Sequence, residues 1–508
     1  MRIREEVSRV GARRARAVRI MSGFGAGVRF GVHCDNIKNL ARGIVERVFY
    51  VDNGSGLESP PKPKSGVFAK RMSGIRLRLL KVLRPTPVVA REEYHELYTG
   101  RKKAIYLRAY ESLLVGGVNH RDSVCSTFVK AEKINFQKKG DPAPRVIQPR
   151  SPRYNLEVGR YLKLFEKEMF AGFKRVFGYN VVSKGMNASE TGELIHSHWS
   201  TFLNPVAVGL DAKRFDQHVS VEALEFEHSF YNAVFNSPEL RKLLSWQLNN
   251  KGIARSSGQR VDYIVKGCRM SGDINTGLGN CILMSCMVIS YCESRGIDFR
   301  LVNNGDDCVL FFEKENLARL QGLDAWFLDF GFTLTREPPV YVLEKVEFCQ
   351  AQPIRTAGGW RMVRNPLTAM SKDCVSLVGW SKESEIRGWC TAIGMCGASL
   401  TNGVPVWSAW YDRLVRLGGG KEISGVDSVI WDSGLGYMAR GVKACCIDDE
   451  CRVSFYKAFG ILPDLQIGIE DDYRRKCELL PVRPMTFPDV KCIDEKTNPL
   501  ATWLSTHR

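Results

Sequence analysis

The chain has 508 residues and a net charge of +18, from 73 Lys and Arg against 55 Asp and Glu, with 44% hydrophobic residues. That length exceeds one small core and suits two or three subdomains, and the apolar content excludes wholesale disorder. The basic excess favours a polyanionic partner, nucleic acid or an anionic membrane surface, although charge alone also fits a generic soluble surface.

In chain order, "MRIREEVSRVGARRARAVRI" at the start is basic but lacks the apolar block of a secretory signal. It reads as an arm for RNA or a membrane surface. The Pro/Lys/Ser stretch Gly56–Phe68 reads as a linker or exposed loop, so residues 1–90 form a basic N-terminal region. A helix-like segment spans Arg91–Leu114, and a basic run, "KAEKINFQKKGDPAPRVIQPRSPR", spans Lys130–Arg153. Strands and helices alternate from Pro205 to Phe348, which predicts an α+β or α/β architecture. The longest apolar run, around Cys281–Tyr291, is too short to span a membrane and reads as a core helix. A mainly helical block follows over 366–508, with Gly418–Gly420 as a turn. The 16 cysteines show no Cys-x-x-Cys pair, so reduced thiols in a cytosolic setting fit better than zinc fingers or a disulfide scaffold.

The chemistry concentrates in four stretches. Val206–Leu210 reads as a buried strand with Asp211 at its C-terminal end; alone, Asp211 reads as a helix N-cap. "RLVNNGDDCVLFF" (Arg300–Phe312) is two apolar runs around an Asn-Gly-Asp turn, a hairpin pattern in which Asp306 and Asp307 alone are polar turn residues. Together, a carboxylate at a strand end and a pair on a hairpin suit two Mg²⁺ ions, which take oxygen ligands and complete them with phosphate and water. Two such ions, roughly 3.5–4 Å apart, serve an in-line displacement at phosphorus.

Asp216 follows Asp211 by five positions and suits a ribose 2′-hydroxyl. In "SGDINTGLGN", Ser271-Gly272 predicts a flexible loop, and Thr276 and Asn280 fall on one helix face, ready for a sugar or for capping and packing. In the basic run, Lys130, Lys133, Lys138, Lys139, Arg145, Arg150 and Arg153 are candidates for phosphate, where Arg offers a planar fork. Arg145 is the strongest, because "RVIQPR" predicts a strand that fixes its direction. Most of the others, taken singly, read as a solvated charged loop.

In this order the stretches resemble a tombusvirus-like viral RNA-dependent RNA polymerase, of dianthovirus- or umbravirus-like kind. "RVIQPR" is similar to the family's nucleotide-access motif, "DAKRFD" to its first palm motif, "SGDINTGLGN" to the second and Gly305-Asp306-Asp307 to the third. "EKVEFCQ" (Glu344–Gln350) resembles the primer-grip hairpin, and "YTGRKKAIYLRAYESL" (Tyr98–Leu113) a segment ahead of the fingers. The likeness covers roughly 91–390.

The resemblance implies a right hand: fingers over 91–204, an antiparallel palm with the catalytic hairpin over 205–365 (with a finger insertion at about 236–266), and a mainly helical thumb over 366–508. It implies Mg²⁺, with Mn²⁺ able to stand in, on Asp211, Asp306 and Asp307. Nucleotide contacts are implied at Lys130, Lys138, Arg145, Asp216, Ser271, Thr276 and Asn280. The partners implied are a single-stranded RNA template, ribonucleoside triphosphates, a membrane-anchored viral replication protein and host factors. Synthesis would start de novo, in host cytoplasm, at membrane-associated replication complexes reached through a fused or partner module.

The family often carries a lysine general acid before the primer grip; here Arg336 and Lys345 are the only cations offered, and neither is assigned. A reverse transcriptase is disfavoured by Asn304-Gly305 ahead of the aspartate pair. A non-catalytic RNA-binding palm would be expected to lose one of the three aspartates, and a metal nuclease would not need the Thr/Asn helix or the basic strand.

Overall fold

The computed structural model describes residues 1–5, 16, 18–21, 28, 30–256, 258–377, 382–419, 442–475 and 485–486. Its centre is a four-stranded antiparallel sheet. The first strand, β1 (Pro205–Ala212), leads through a short turn to helix α1 (Val221–Phe235). After helix α2 (Thr276–Ser294) come the hairpin strands β2 (Phe299–Asn304) and β3 (Asp307–Glu313), then β4 (Leu334–Arg336). The spatial order is β2-β3-β1-β4.

Side chains alternate across this sheet. Val206, Val208, Leu210 and Ala212 of β1 join Leu301, Leu310 and Phe312 in the largest core, against α1 and α2. Ala207 faces the other way with Val302, Val309 and Phe311, in a core that includes Ile195 and Met362. Burial on both faces explains why β1 reads as an unbroken apolar run. Helix α2 is buried from Leu278 through Cys292, so the Cys281–Tyr291 stretch is a core helix, as its length and composition predict.

A second sheet has five strands, ordered Arg2–Glu5, Gln259–Lys266, Asn249–Ser256, Cys125–Val129, Val146–Ile147. The hairpin 249–266 thus sits beside the basic run, through parallel pairing of Gly252 with Cys125. Further on, β5 (Ala351–Thr356) and β6 (Gly359–Arg364) form a separate hairpin. Helices Glu383–Thr401, Trp407–Gly418, Asp449–Phe459 and Pro463–Arg475 follow, around a core holding Trp407, Trp410 and Tyr411. Of the Gly418–Gly420 turn, Gly420 lies outside the described residues; Gly419 has φ 74°, as a helix C-terminus favours.

The N-terminal residues are more built-in than their composition suggests. Arg2–Glu5 pairs with Gln259–Asp262, Arg19–Ile20 with Val375–Ser376, and Phe30–Gly31 with Ile134–Asn135. The exposed Pro-rich stretch ends in helix Val67–Val82, which buries Val67, Phe68, Met72, Ile75 and Leu79 in the largest core.

Candidate active site

Asp211 and Asp307 are direct cross-strand partners on β1 and β3. Asn304 pairs with Asp307, which leaves Gly305 and Asp306 as a two-residue turn. Gly305 takes φ 93°, the positive value such a hairpin turn requires at its first central position. The buried Asn303 staples the turn: its amide donates to the Gly305 carbonyl at 2.7 Å, and its side-chain oxygen accepts from the Gly305 N–H at 3.2 Å. Asp211, Asp306 and Asp307 are all exposed at this end of the sheet. Asp211 is a strand residue, not a helix cap.

Partial burial pushes the Asp307 carboxyl above its usual range, with Asp306, Asp211 and Glu347 adding repulsion. Hard oxygen donors that repel one another fit a divalent cation. Among the described residues no three His, Cys, Asp or Glu side chains close on one point, so the set is an open one. That suits Mg²⁺, which is held by one or two carboxylates and completes its shell with phosphate and water.

The second cluster sits behind the first. Asp216 accepts hydrogen bonds from Ser271 Oγ and from Asn280 Nδ2, the latter at 2.8 Å. Burial raises the Asp216 carboxyl despite both donors and the nearby Arg269 charge. Asn280 Oδ1 accepts from Arg269 Nε at 3.2 Å, and Arg269 is ion-paired with Glu227, both fully buried. Tyr231 and Asn275 each donate to Glu227 at 2.7 Å. Gly279 makes room: a Cβ there would lie 2.3 Å from Arg269 Nη2 and 2.4 Å from the Glu227 carboxyl carbon. Thr276 is one helical turn from Asn280, but its hydroxyl donates to the Met270 carbonyl at 3.2 Å.

The Ser271-Gly272 loop is braced, contrary to the flexibility predicted from its composition. Gln148 N donates to the Ser271 carbonyl at 2.8 Å, and a Cβ on Gly272 would meet Pro149 N at 2.8 Å. Close backbone packing, with Gly272 at φ 145°, is what the glycine permits here.

The basic run divides. Lys130 and Arg145 lie just beyond the paired strands Cys125–Val129 and Val146–Ile147, where Lys130 N donates to the Arg145 carbonyl at 2.8 Å, and each side chain contacts Glu132 at 3.3 Å. Lys138 lies on the short helix Phe136–Lys139 and its charge reaches Glu337; Lys139 is exposed. The other candidates are struts. Arg150 is buried on Asp273, Asn250 and the Ser123 carbonyl. Arg153 holds Asp122, Ser112 and the Gly116–Gly117 carbonyls. Lys133 donates to the Lys372 carbonyl at 2.8 Å, and burial pushes its ammonium down to about 8. All three are tied within the protein, whereas singly most of the run reads as a solvated charged loop.

Residues 4–478 match the family described as viral RNA dependent RNA polymerase. The chain belongs to that family. It is 47% identical over 459 residues to an RNA-directed RNA polymerase of Turnip crinkle virus, across 89% of this chain and 59% of that protein. The corresponding protein of Tobacco necrosis virus (strain A) is 45% identical over 468 residues, 91% of this chain and 64% of that one. That of Melon necrotic spot virus is 43% identical over 466 residues, 91% and 59%. The chain therefore spans about three-fifths of the length of these curated relatives.

Other residues at the polymerase-family centre are not apparent from sequence. Glu337 lies over Gly209, whose added Cβ would come within 2.0 Å of Glu337 Oε2. Gly209 shares its strand face with Asp211, so the glutamate extends the acidic edge; a glycine inside a strand was the available signal. Lys184 lies over Gly277, 2.6 Å from where a Cβ would stand, beside a loop bonded to Asn303. Glu344–Gln350 narrows to a two-residue turn, Cys349-Gln350, closed by Phe348 and Ala351 with φ 51° and 62°; Asn304 Nδ2 donates to Cys349 Sγ at 3.4 Å. Arg336 is bound to Asp324 at 2.7 Å, and Lys345 donates to the Ala458 carbonyl at 3.1 Å. Neither offers a proton at the carboxylates.

Proposed function

We propose that this chain is the polymerase portion of a viral replicase that adds ribonucleotides to RNA on a single-stranded RNA template. The observation that carries the reading is the pairing of Asp211 with Asp307 beside the Asp216–Asn280–Ser271 cluster. One group presents carboxylates suited to two metal ions; the other presents a carboxylate and an amide suited to a ribose.

In this reading Asp211, Asp306 and Asp307 hold Mg²⁺, or Mn²⁺ in its place. Held by these carboxylates, such ions would supply Lewis acidity for a 3′-hydroxyl and charge neutralisation for a leaving pyrophosphate. Asp216 accepts a hydrogen bond from the 2′-hydroxyl, which Asn280 and Ser271 orient. Lys130, Lys138 and Arg145 draw the triphosphate by charge.

The same reading makes a right hand of the fold. Residues 205–365 are the palm around the four-stranded sheet, 91–204 with about 236–266 the fingers, 366–508 the thumb, and 1–90 an N-terminal region; of the 366–508 span, 378–381, 420–441, 476–484 and 487–508 lie outside the described residues. The shared sheet of 249–266 with Cys125–Val129 supports joining the insertion to the fingers. Initiation without a primer belongs to the same reading and is carried by the resemblance alone. Among the described residues no helix is long and apolar enough to cross a membrane; replication at host membranes would be directed by a fused or partner module.

The test is incorporation of labelled ribonucleotides on a short RNA with Mg²⁺, comparing the chain with Asp306→Asn. Template-dependent product lost in the variant supports the reading, while equal product from both removes Asp306 from the metal site.

A further inference from the structure

The two-residue turn Cys349-Gln350 carries side chains where glycine would be relaxed. Phe348 and Ala351 exchange both backbone hydrogen bonds around it, at 2.9 and 3.0 Å. Positive φ at both central positions of such a turn favours Asn and Gly. Cys349 at 51° and Gln350 at 62° occupy them instead. Side chains kept at strained positions point to a task for one of them. Gln350 is exposed and Cys349 half-buried, so the task falls to Cys349.

The Cys349 side chain reaches the hairpin that bears Asp307. Asn304, the cross-strand partner of Asp307, donates from Nδ2 to Cys349 Sγ at 3.4 Å. Burial, then the charges of Asp306, Asp211 and Glu347, oppose the charged Asp307 carboxylate, whereas a hydrogen bond from Cys349 supports it. The turn itself is anchored from behind. Lys345 Nζ and Gln352 Nε2 donate to the Ala458 carbonyl at 3.1 and 3.4 Å, and Arg355 N donates to Ser454 Oγ at 2.9 Å. The thiol is thus held by a segment fixed on helix Asp449–Phe459, and it gives Asp307 a neighbour from outside its own sheet.

We propose that Cys349, braced by Asn304, is a positioning residue for the metal centre, holding the Asp307 carboxylate in the orientation that receives a divalent cation. The role rests on the reading of Asp211, Asp306 and Asp307 as metal ligands. Asp306 and Asp307 are adjacent at the end of a hairpin and repel each other, so a donor beside Asp307 keeps its carboxylate from turning away. A thiol suits this post because it is a weak donor, and it leaves the carboxylate oxygens available to the cation.

Variants of the full chain separate positioning from turn-making. The readouts are the Mn²⁺ affinity of the nucleotide-free chain by electron paramagnetic resonance, the Mg²⁺ concentration for half-maximal incorporation, and the melting temperature. Cys349→Gly relaxes the turn, so it is expected to keep the melting temperature while weakening Mn²⁺ binding about three- to tenfold and raising the Mg²⁺ requirement to match. Asn304→Ala is expected to act in the same direction, and Cys349→Ser, which keeps a donor, to fall between. Gln350→Gly relaxes the same turn and is expected to leave Mn²⁺ affinity within about twofold of wild type. Mn²⁺ affinity unchanged in Cys349→Gly, or weakened equally by Gln350→Gly, would overturn the role. Mn²⁺ binding that survives Asp307→Asn at full strength would instead refute the metal reading on which the role rests.

Discussion

The Asn280 amide donates to the Asp216 carboxylate at 2.8 Å, joining the core helix α2 to the turn that follows Asp211. Asn280 is itself held from behind by Arg269, whose charge is matched by Glu227. The Asp216 carboxylate is therefore oriented by a chain of contacts that ends in the hydrophobic core.

Breaking the first link should loosen sugar selection. Asn280→Ala leaves Asp216 without one donor, a loss of about 1–3 kcal/mol of positioning. The ratio of kcat/KM for ribo- over deoxyribonucleotides is expected to fall about tenfold or more, and Asp216→Ala is expected to act in the same direction. An unchanged ratio removes both residues from sugar recognition.

Breaking the last link should cost stability, and by an amount that depends on pH. Burial works against the charged form of Glu227, yet Arg269 and His228 hold its carboxyl below the usual range. A depressed carboxylate stabilises fully above its unfolded-state pKa and loses that contribution as pH falls through the folded value. Arg269→Met strands Glu227 in the core at a cost of about 3–5 kcal/mol at pH 7. Without its partner the buried Glu227 takes up a proton more readily, so the gap from wild type should narrow between pH 7 and pH 5. Urea unfolding at the two values measures it; a gap that stays constant or widens contradicts the assignment.

Two glycine substitutions separate cheap crowding from costly crowding. In Gly279→Ala the new Cβ meets the buried Arg269–Glu227 pair, which cannot move aside, so about 1–3 kcal/mol should be lost. In Gly209→Ala it meets the end of the exposed Glu337 side chain, which can swing away. Its melting temperature should stay near wild type. Equal losses at the two sites would contradict the packing described.

The two arginines of "RVIQPR" should behave differently. Arg145 is exposed and shares Glu132 with Lys130, an ion pair worth about 0–1 kcal/mol. Arg145→Ala should therefore fold normally and raise nucleotide KM. Arg150→Ala orphans the buried Asp273 and should unfold at lower denaturant by about 3–5 kcal/mol. Matching stability losses would mean that Arg145 is also a strut.

The contrast shows what sequence carries and what it does not. The hairpin around Asp306 was legible because two apolar runs with a glycine at the turn between them are local signals. Asp216, Ser271 and Asn280 were legible as separate candidates, and the fold brings them into contact. Arg145 and Arg150 look alike in sequence, because which one is buried depends on Asp273 and Asn250, far along the chain. Glu227 and Arg269 are 42 residues apart, so no local pattern announces the pair. Helix Val67–Val82 carries a stripe at Phe68, Met72, Ile75 and Leu79, diluted by the arginines and lysines between.

The most direct measurement is template-directed incorporation of a single labelled ribonucleotide by the chain, beside Asp211→Asn and Asp306→Asn, with RNA binding followed in parallel. Product from the wild type alone, with all three proteins binding RNA equally because phosphate contacts dominate that affinity, is the expected result. Product from either variant at the wild-type rate would contradict the assignment of these carboxylates to the metal ions.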